Sequence, residues 1–267
     1  MMEDLLRDLP VYLINLPRAV TRRQQMEARL AATGLHYTLF PGVDGQAEAD
    51  RLLANTDVAA FEKNMGRRIL IGGLGCYHSH LAVWEDFLAT GKAIALILED
   101  DTVLHDDFLS AVRLALGAAD HWDFLKLNRI RAKLPIRQGR IGQYCLNAYV
   151  GPATGTAAYM INRETAAKML PAMRRVTRAT DHEINRFFLH DFRLRGLEPF
   201  PSHVDDGGES HITGLNFSDV KKTRGRSRLP YYRLKAANYL RRLWWLAKRG
   251  EAVPRSRLLS GNQRTEV

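Results

Sequence analysis

The chain has 267 residues, 46% of them hydrophobic, two cysteines and a formal net charge of +10. This composition excludes wholesale disorder and supports one large domain or two small ones. Two cysteines make neither a disulfide framework nor a Cys-based zinc site and suit a reducing cytosol. No run of about 18 apolar residues offers a membrane span. The acidic opening MMEDLLRDLP lacks the basic and then apolar order of a secretory signal.

In chain order, VYLINL (11–16) is short, apolar and rich in β-formers, so it reads as a strand. A helix follows, with Ala19, Met26 and Leu30 at helical spacing and Gly34 as its stop. HYTLF (36–40) is a second strand and PGVDG a turn. Strand, helix, strand is a βαβ opening, which predicts a parallel sheet. Residues 73–91 read as a helix with Cys76, His80, Val83 and Phe87 on one face. AIALIL (93–98) is continuously apolar, as a strand buried on both faces must be. DFLKL (123–127) and TAAYMI (156–161) are further strands, the latter followed by a helix, RETAAKML. Thr180 and Glu183 have the spacing of a capping box that opens another helix. The expected class is α/β, a mostly parallel, Rossmann-like sheet flanked by helices. Its ligand is expected beyond the carboxyl ends of the strands.

Glu99, Asp100 and Asp101 follow AIALIL directly. Three crowded carboxylates repel one another and are costly to bury unless something pairs with them. A divalent cation, Mg²⁺ or Mn²⁺, would relieve the repulsion and could neutralise a diphosphate. If strand geometry persists, Glu99 and Asp101 share one side and Asp100 points elsewhere. The competing account is a solvated acidic turn. GPATGT lacks the phosphate-loop pattern, and no GxGxxG follows the first strand.

Four segments in order, VYLINLPRAVTRR (11–23), GVDG (42–45), GGLGCYHSHLAVWEDFL (72–88) and ALILEDDTVL (95–104), resemble glycosyltransferase family 25. GTAAYMINRETAAKML (155–170) and TDHEINRFF (180–188) also fit, so the resemblance covers about residues 11–215. It implies a GT-A-like fold and transfer of galactose or glucose from a UDP-sugar to a lipopolysaccharide, lipooligosaccharide or related glycan. It also implies that the acidic segment holds the metal, with Asp101 the principal ligand and Glu99 assisting. Asn15, Arg18 and Arg23 would lie near the nucleotide, although a charged first helix turn is the alternative for such arginines. Asp44 would contact the ribose or cap a turn. Ser79 and His80 match the family's Ser-His pair, with a buried structural histidine as the alternative. If the reaction inverts, Asp181 is the implied base and Asp191 its backup; a helix N-terminus would also favour an acid at 181. PSHVDDGGESHIT (201–213) offers His203, Asp205, Asp206 and His211, with His211 the expected further metal ligand. The segment departs from the family's pattern here.

Arg129, Arg131, Lys133, Arg137 and Arg140 crowd the loop after DFLKL and suit a phosphorylated acceptor or a solvated surface. Residues 221–267 carry 14 Lys and Arg against 2 acids, a balance of +12 that leaves residues 1–220 at −2. The reading is therefore a catalytic domain at 1–220 and a basic amphipathic helical tail at 221–267. That tail has Tyr232, Ala236, Tyr239, Leu243 and Leu246 on one face, and AVPRSRLLSGNQRTEV (252–267) beyond it is expected to be disordered. Such a tail predicts a cytoplasmic protein held on the inner face of the cytoplasmic membrane, near a lipid-linked saccharide acceptor, with no nucleic-acid partner. A helix packed on the domain is the alternative. A metal-dependent nucleotidyltransferase and a non-catalytic adaptor on a degenerate transferase domain are the rival functions.

Overall fold

The computed structural model describes residues 6–205 and 228–259. Strand β1 (Val11–Asn15) is buried at all five positions. Helix α1 (Val20–Thr33) buries Met26 and Leu30 and ends at Gly34, whose φ of 70° is the left-handed cap that glycine adopts without strain. The chain returns as β2 (Thr38–Pro41), parallel to β1. Two short helices, α2 (Ala49–Ala54) and α3 (Val58–Met65), lead to the long α4 (Ile71–Ala89) and then β3 (Ile94–Glu99), parallel to the other side of β1.

The second half comprises β4 (Thr102–Leu104), α5 (Phe108–Gly117), β5 (Phe124–Lys126), β6 (Arg131–Ala132), β7 (Pro135–Ile141), β8 (Tyr144–Tyr149) and β9 (Ala153–Thr154). It continues through β10 (Ala158–Asn162), α6 (Arg163–Met173), α7 (Thr180–Ile184), α8 (Phe187–His190), β11 (Leu194–Glu198), β12 (Ser202–Val204) and α9 (Leu229–Lys248). Eight strands form one sheet in the order β2-β1-β3-β10-β5-β11-β8-β7. The α/β class holds, but the sheet is mixed rather than mostly parallel. The β1–β2, β1–β3 and β5–β11 pairs are parallel, whereas β3–β10, β10–β5, β11–β8 and β8–β7 are antiparallel. A short hairpin between β7 and β8 can only pair antiparallel, and β10 inserts against the direction of both its neighbours.

The sheet is covered on both faces. Tyr12, Ile14, Ala95, Ile97 and Tyr159 pack with Val83, Trp84 and Phe87 of α4. Val11, Leu13, Leu96, Leu98 and Met160 pack with Met26 and Leu30 of α1 and with Phe108 and Val112 of α5. The two-residue period of each strand divides these two sets. The expected capping box does not form: Thr180 lies inside α7, and Glu183 pairs instead with Arg178, Arg186 and His190.

The described part of the expected tail lies on the body. Arg242, Trp245 and Leu246 of α9 are buried. Arg242 Nε donates to Asn185 O at 2.9 Å, and Trp245 Nε1 donates to Asp191 Oδ1 at 3.0 Å. The stretch beyond α9 is also placed. Arg140 N donates to Arg257 O and Leu259 N to Arg140 O, so residues 257–259 line the outer edge of β7 and Leu259 enters the core. This covers backbone groups that a bare edge strand would expose. Arg137 and Arg140 accordingly stand on a strand, not in a loop. The Arg137 guanidinium donates to Arg255 O and Ser256 Oγ.

Candidate active site

Strand order β2-β1-β3 makes the β1/β3 boundary a topological switch point. The connection through α1 leaves β1 on one face of the sheet, and α4 reaches β3 over the other. An open cleft lies beyond the carboxyl ends of these strands, where ligands bind in open α/β sheets. Arg18, Arg22, Asp44, Cys76, Ser79, His80 and the three acids at 99–101 line it.

Period-two alternation continues through the end of β3. Glu99 falls on the face of Ala95 and Ile97, where α4 lies, and meets His80. His80 is 1% exposed. Tyr159 OH accepts from Trp84 Nε1 at 2.8 Å and lies 2.9 Å from His80 Nδ1. A carboxylate only accepts, so His80 Nε2 is the donor to Glu99 Oε1 at 3.1 Å. Thr156 Oγ1 donates to the same oxygen at 2.8 Å. Burial opposes the Glu99 charge, but the His80 and Thr156 hydrogen bonds and the Lys126 ammonium prevail, and the carboxyl sits below its ordinary value.

Asp100 falls on the α1 side. Its Oδ2 accepts from Asn15 Nδ2 at 2.7 Å, and its Oδ1 lies 3.4 Å from Arg22 Nη1. It also borders the cleft, contrary to the expectation that it points elsewhere. Asn15 is 2% exposed and holds Asp100 rather than presenting itself to a ligand. Asp101 differs from both. Its Oδ1 is buried and has no hydrogen-bond partner among the described residues, and Arg22 Nη1 stands 3.9 Å from its Oδ2. Burial, then repulsion from Glu99 and Asp100, pushes its carboxyl up to about 7. A buried carboxylate oxygen with lone pairs to give, beside two more acids, is a donor set that fits a hard divalent cation. The Cys76 thiol, His80 and Glu99 also place three potential ligand atoms within 4.8 Å of one another. Burial and the charges of Glu99, Asp181 and Asp101 raise the Cys76 thiol well above its ordinary value, so it stands protonated.

Two glycines set the cleft's far wall. A Cβ on Gly45 would lie 2.2 Å from Ile71 O, and one on Gly75 would lie 2.5 Å from Val43 O. The loop after β2 therefore rests directly on the first turns of α4. Ser79 Oγ accepts from Val43 N and donates to Gly75 O, both at 2.8 Å, so Ser79 clamps that loop. Asp44, held on the loop, accepts from Gln46 N and pairs with Arg18 at the cleft's mouth.

Several expected residues stand elsewhere. Arg23 is outside the cleft lining and pairs with Glu27 along α1; its neighbour Arg22 takes the site position. Asp181 is partly exposed but does not line this cleft. Its Oδ2 accepts from Gly155 N at 3.2 Å, and Gly155 adjoins Thr156, the partner of Glu99. Lys126, buried beneath, donates to Gly155 O. Burial lowers its ammonium to about 8 against the pull of Asp181 and Glu99. The backup acid Asp191 is tied to Trp245 and Arg249. His203 faces His105 at 2.8 Å, and Asp205 pairs with Arg29. His211 and Asp206 lie outside the described residues.

Residues 8–184 match the family model described as glycosyltransferase family 25 (LPS biosynthesis protein). A glycosyltransferase 25 family member of Anopheles gambiae is 29% identical over 79% of this chain and 40% of its own length. Procollagen galactosyltransferase 1 of Danio rerio is 23% identical over 79% of this chain and 39% of its own. A human relative, 26% identical over 60% of this chain and 28% of its own, is named inactive glycosyltransferase 25 family member 3. The chain thus spans roughly a quarter to two fifths of the length of the curated relatives it matches.

Proposed function

Because this chain belongs to glycosyltransferase family 25, we propose that it is a metal-assisted glycosyltransferase of GT-A-like fold. It moves a hexose, galactose or glucose, from a UDP-sugar to a lipopolysaccharide core or related glycan. The observation that carries this reading is Asp101, a partly exposed carboxylate whose Oδ1 is buried without a partner among the described residues, in a cleft at the β1/β3 switch point that Arg18 and Arg22 also line.

Asp101 and Glu99 would hold Mn²⁺ or Mg²⁺; when bound, the ion neutralises the diphosphate and makes it a better leaving group. Arg18 and Arg22 supply planar guanidinium donors suited to phosphate oxygens. Asn15 and His80 act at one remove, fixing the Asp100 and Glu99 carboxylates. Ser79 fixes the loop that carries Asp44, the residue that would contact the ribose. In an inverting transfer the acceptor oxygen bonds to the anomeric carbon as the bond to the diphosphate breaks, the electron pair leaving on the diphosphate oxygen. The hydroxyl proton passes to Asp181, whose carboxyl is held below its ordinary value despite burial, chiefly by His182 and the Gly155 N–H.

Calorimetric titration of UDP with and without Mn²⁺, on the wild type and Asp101→Ala, tests the reading. Manganese-dependent UDP binding that the variant loses is expected. UDP binding indifferent to both metal and Asp101, or no binding in any condition, would overturn it.

A further inference from the structure

Helix α9 has two apolar faces, and among the described residues only one is packed against the body. Tyr231, Leu234, Arg242, Trp245 and Leu246 turn toward the body and are buried or partly so. On the opposite side Leu229 (49% exposed), Tyr232 (50%), Leu240 (69%), Leu243 (43%) and Trp244 (60%) stand in solvent. At 100° per residue these five, with Ala236 and Ala247 between them, fill a stripe roughly 120° wide along the whole helix. The face expected from sequence was rotated from this one: Leu246 belongs to the core, and Leu240 and Trp244 belong to the exposed stripe.

Charge frames the stripe. Arg241 and Lys248 flank one side and Lys235 the other, with Arg233 within it. The Lys248 ammonium stands 3.7 Å over the Trp244 ring, so aromatic and cation share one edge. The helix itself holds no acid, and residues 221–267 carry a balance of +12. No described helix is long and apolar enough to cross a membrane. An apolar stripe with Trp and Tyr at its margins and cations on both flanks is the pattern of a helix lying in the plane of an anionic interface, its apolar side chains among acyl chains and its cations at lipid phosphates.

We propose that this exposed face of α9 docks the protein on an anionic lipid bilayer. The opposite face keeps the helix fastened to the fold, so docking orients the whole body. The N-terminal end of α9 is fastened as well, with Tyr231 packed on Gly66. The docking stands whether or not the sugar-transfer reading holds.

The test is flotation of the full chain with vesicles of phosphatidylcholine alone or with 30% phosphatidylglycerol, read together with tryptophan fluorescence. Of the four tryptophans, Trp84, Trp122 and Trp245 are buried and Trp244 is exposed, so a vesicle-induced blue shift reports Trp244. Expected results are binding to the anionic vesicles only, a blue shift, and at least tenfold weaker partition for Leu240→Ser/Leu243→Ser/Trp244→Ser. All three side chains are exposed, so the variant should keep wild-type circular dichroism and unfolding midpoint. Partition unchanged in that variant, or abolished by 0.5 M salt with no blue shift, would mean a basic surface for any polyanion and would overturn the proposal. So would absence of binding together with a solution dimer that the variant dissolves, which would assign the stripe to a second copy of the chain.

Discussion

Asp101→Asn should stabilise the cation-free protein, and should do so increasingly as pH rises. In the folded chain the Asp101 carboxyl is held at about 7, first by burial and then by Glu99 and Asp100; in the unfolded chain it returns to its ordinary value near 3.8. A raised carboxyl value means the folded state binds the proton more tightly than the unfolded one. This site therefore costs nothing below pH 3.8. It erodes stability as pH climbs through the interval, and its full cost is reached above 7. Three pH units correspond to about 4 kcal/mol, an upper bound because the side chain is 24% exposed and solvent screens the repulsion. Asn has the same shape and no proton to lose, so its advantage over Asp should grow by about 2–3 kcal/mol between pH 5 and pH 8. Comparing the two pH values cancels any pH-independent effect of the swap. Urea unfolding in chelator, followed by circular dichroism, measures it. Adding Mn²⁺ at pH 8 should then raise the wild-type midpoint and leave that of the variant in place. A variant destabilised equally at both pH values would refute the argument that Asp101 is strained by its neighbours.

Gly75→Ala forces a Cβ to within 2.5 Å of Val43 O and 2.7 Å of Gly45 N. It should cost about 1–3 kcal/mol in urea unfolding and weaken UDP binding, because the loop carrying Asp44 must lift away from α4; unchanged affinity would detach that loop from the site. Glu251→Ala strands Arg195, which is 2% exposed and donates to Glu251 Oε2 at 2.6 Å. A loss of about 3 kcal/mol is expected by denaturant titration, and a loss below about 0.5 would mean that water reaches Arg195. Asp181→Asn can still accept from Gly155 N–H but is no longer basic. If Asp181 takes the acceptor's proton, kcat should fall as far in Asn as in Ala; if it only pins the loop, Asn should keep most of the wild-type kcat.

The first half of the fold was legible because it follows simple periods. VYLI and AIALIL are apolar at every position, which requires cover on both faces, and the structure places α1 and α4 there. The cleft at their carboxyl ends follows from that. The acids were half legible: alternation separates Glu99 from Asp100, but β3 stops at Glu99 and a turn then brings Asp100 back to the cleft wall. Arg22 and Arg23 are one helical step apart, and the polar face of α1 offered no apolar marker to choose between them. Cys76 lies one turn before His80, so its place beside the acids was visible in the spacing. GGLGC at the start of α4 runs against helix propensity, and that misfit signalled the close approach of the Val43–Gly45 loop. The β7–β8 hairpin gave little signal. Its first strand, PIRQGRI, is covered by residues 257–259, more than a hundred positions away, so its own composition need not be apolar.

One short loop of the second half of the chain, residues 153–156, reaches the Glu99 carboxylate, and the physics of that loop explains why a lysine is buried under it. Ala153 is fixed at both its N–H and its carbonyl by the Asn185 side chain. Gly155 is gripped by opposite charges, its N–H by the Asp181 carboxylate and its carbonyl by the Lys126 ammonium. Each charge lowers the cost of burying the other, and the peptide segment between them is held as a consequence. Thr156 is the next residue, and its hydroxyl reaches Glu99 Oε1 from the side opposite His80. With Oε1 taken by two donors, the orientation of the Glu99 carboxylate is set, and with it the direction in which its remaining oxygen can serve a cation. Lys126 and Asp181 therefore act on the site as positioning residues even before any proton is transferred. The same reasoning separates Glu99 from Asp101: one acid is oriented and held ionised by the protein, and the other is strained by burial and by its neighbours.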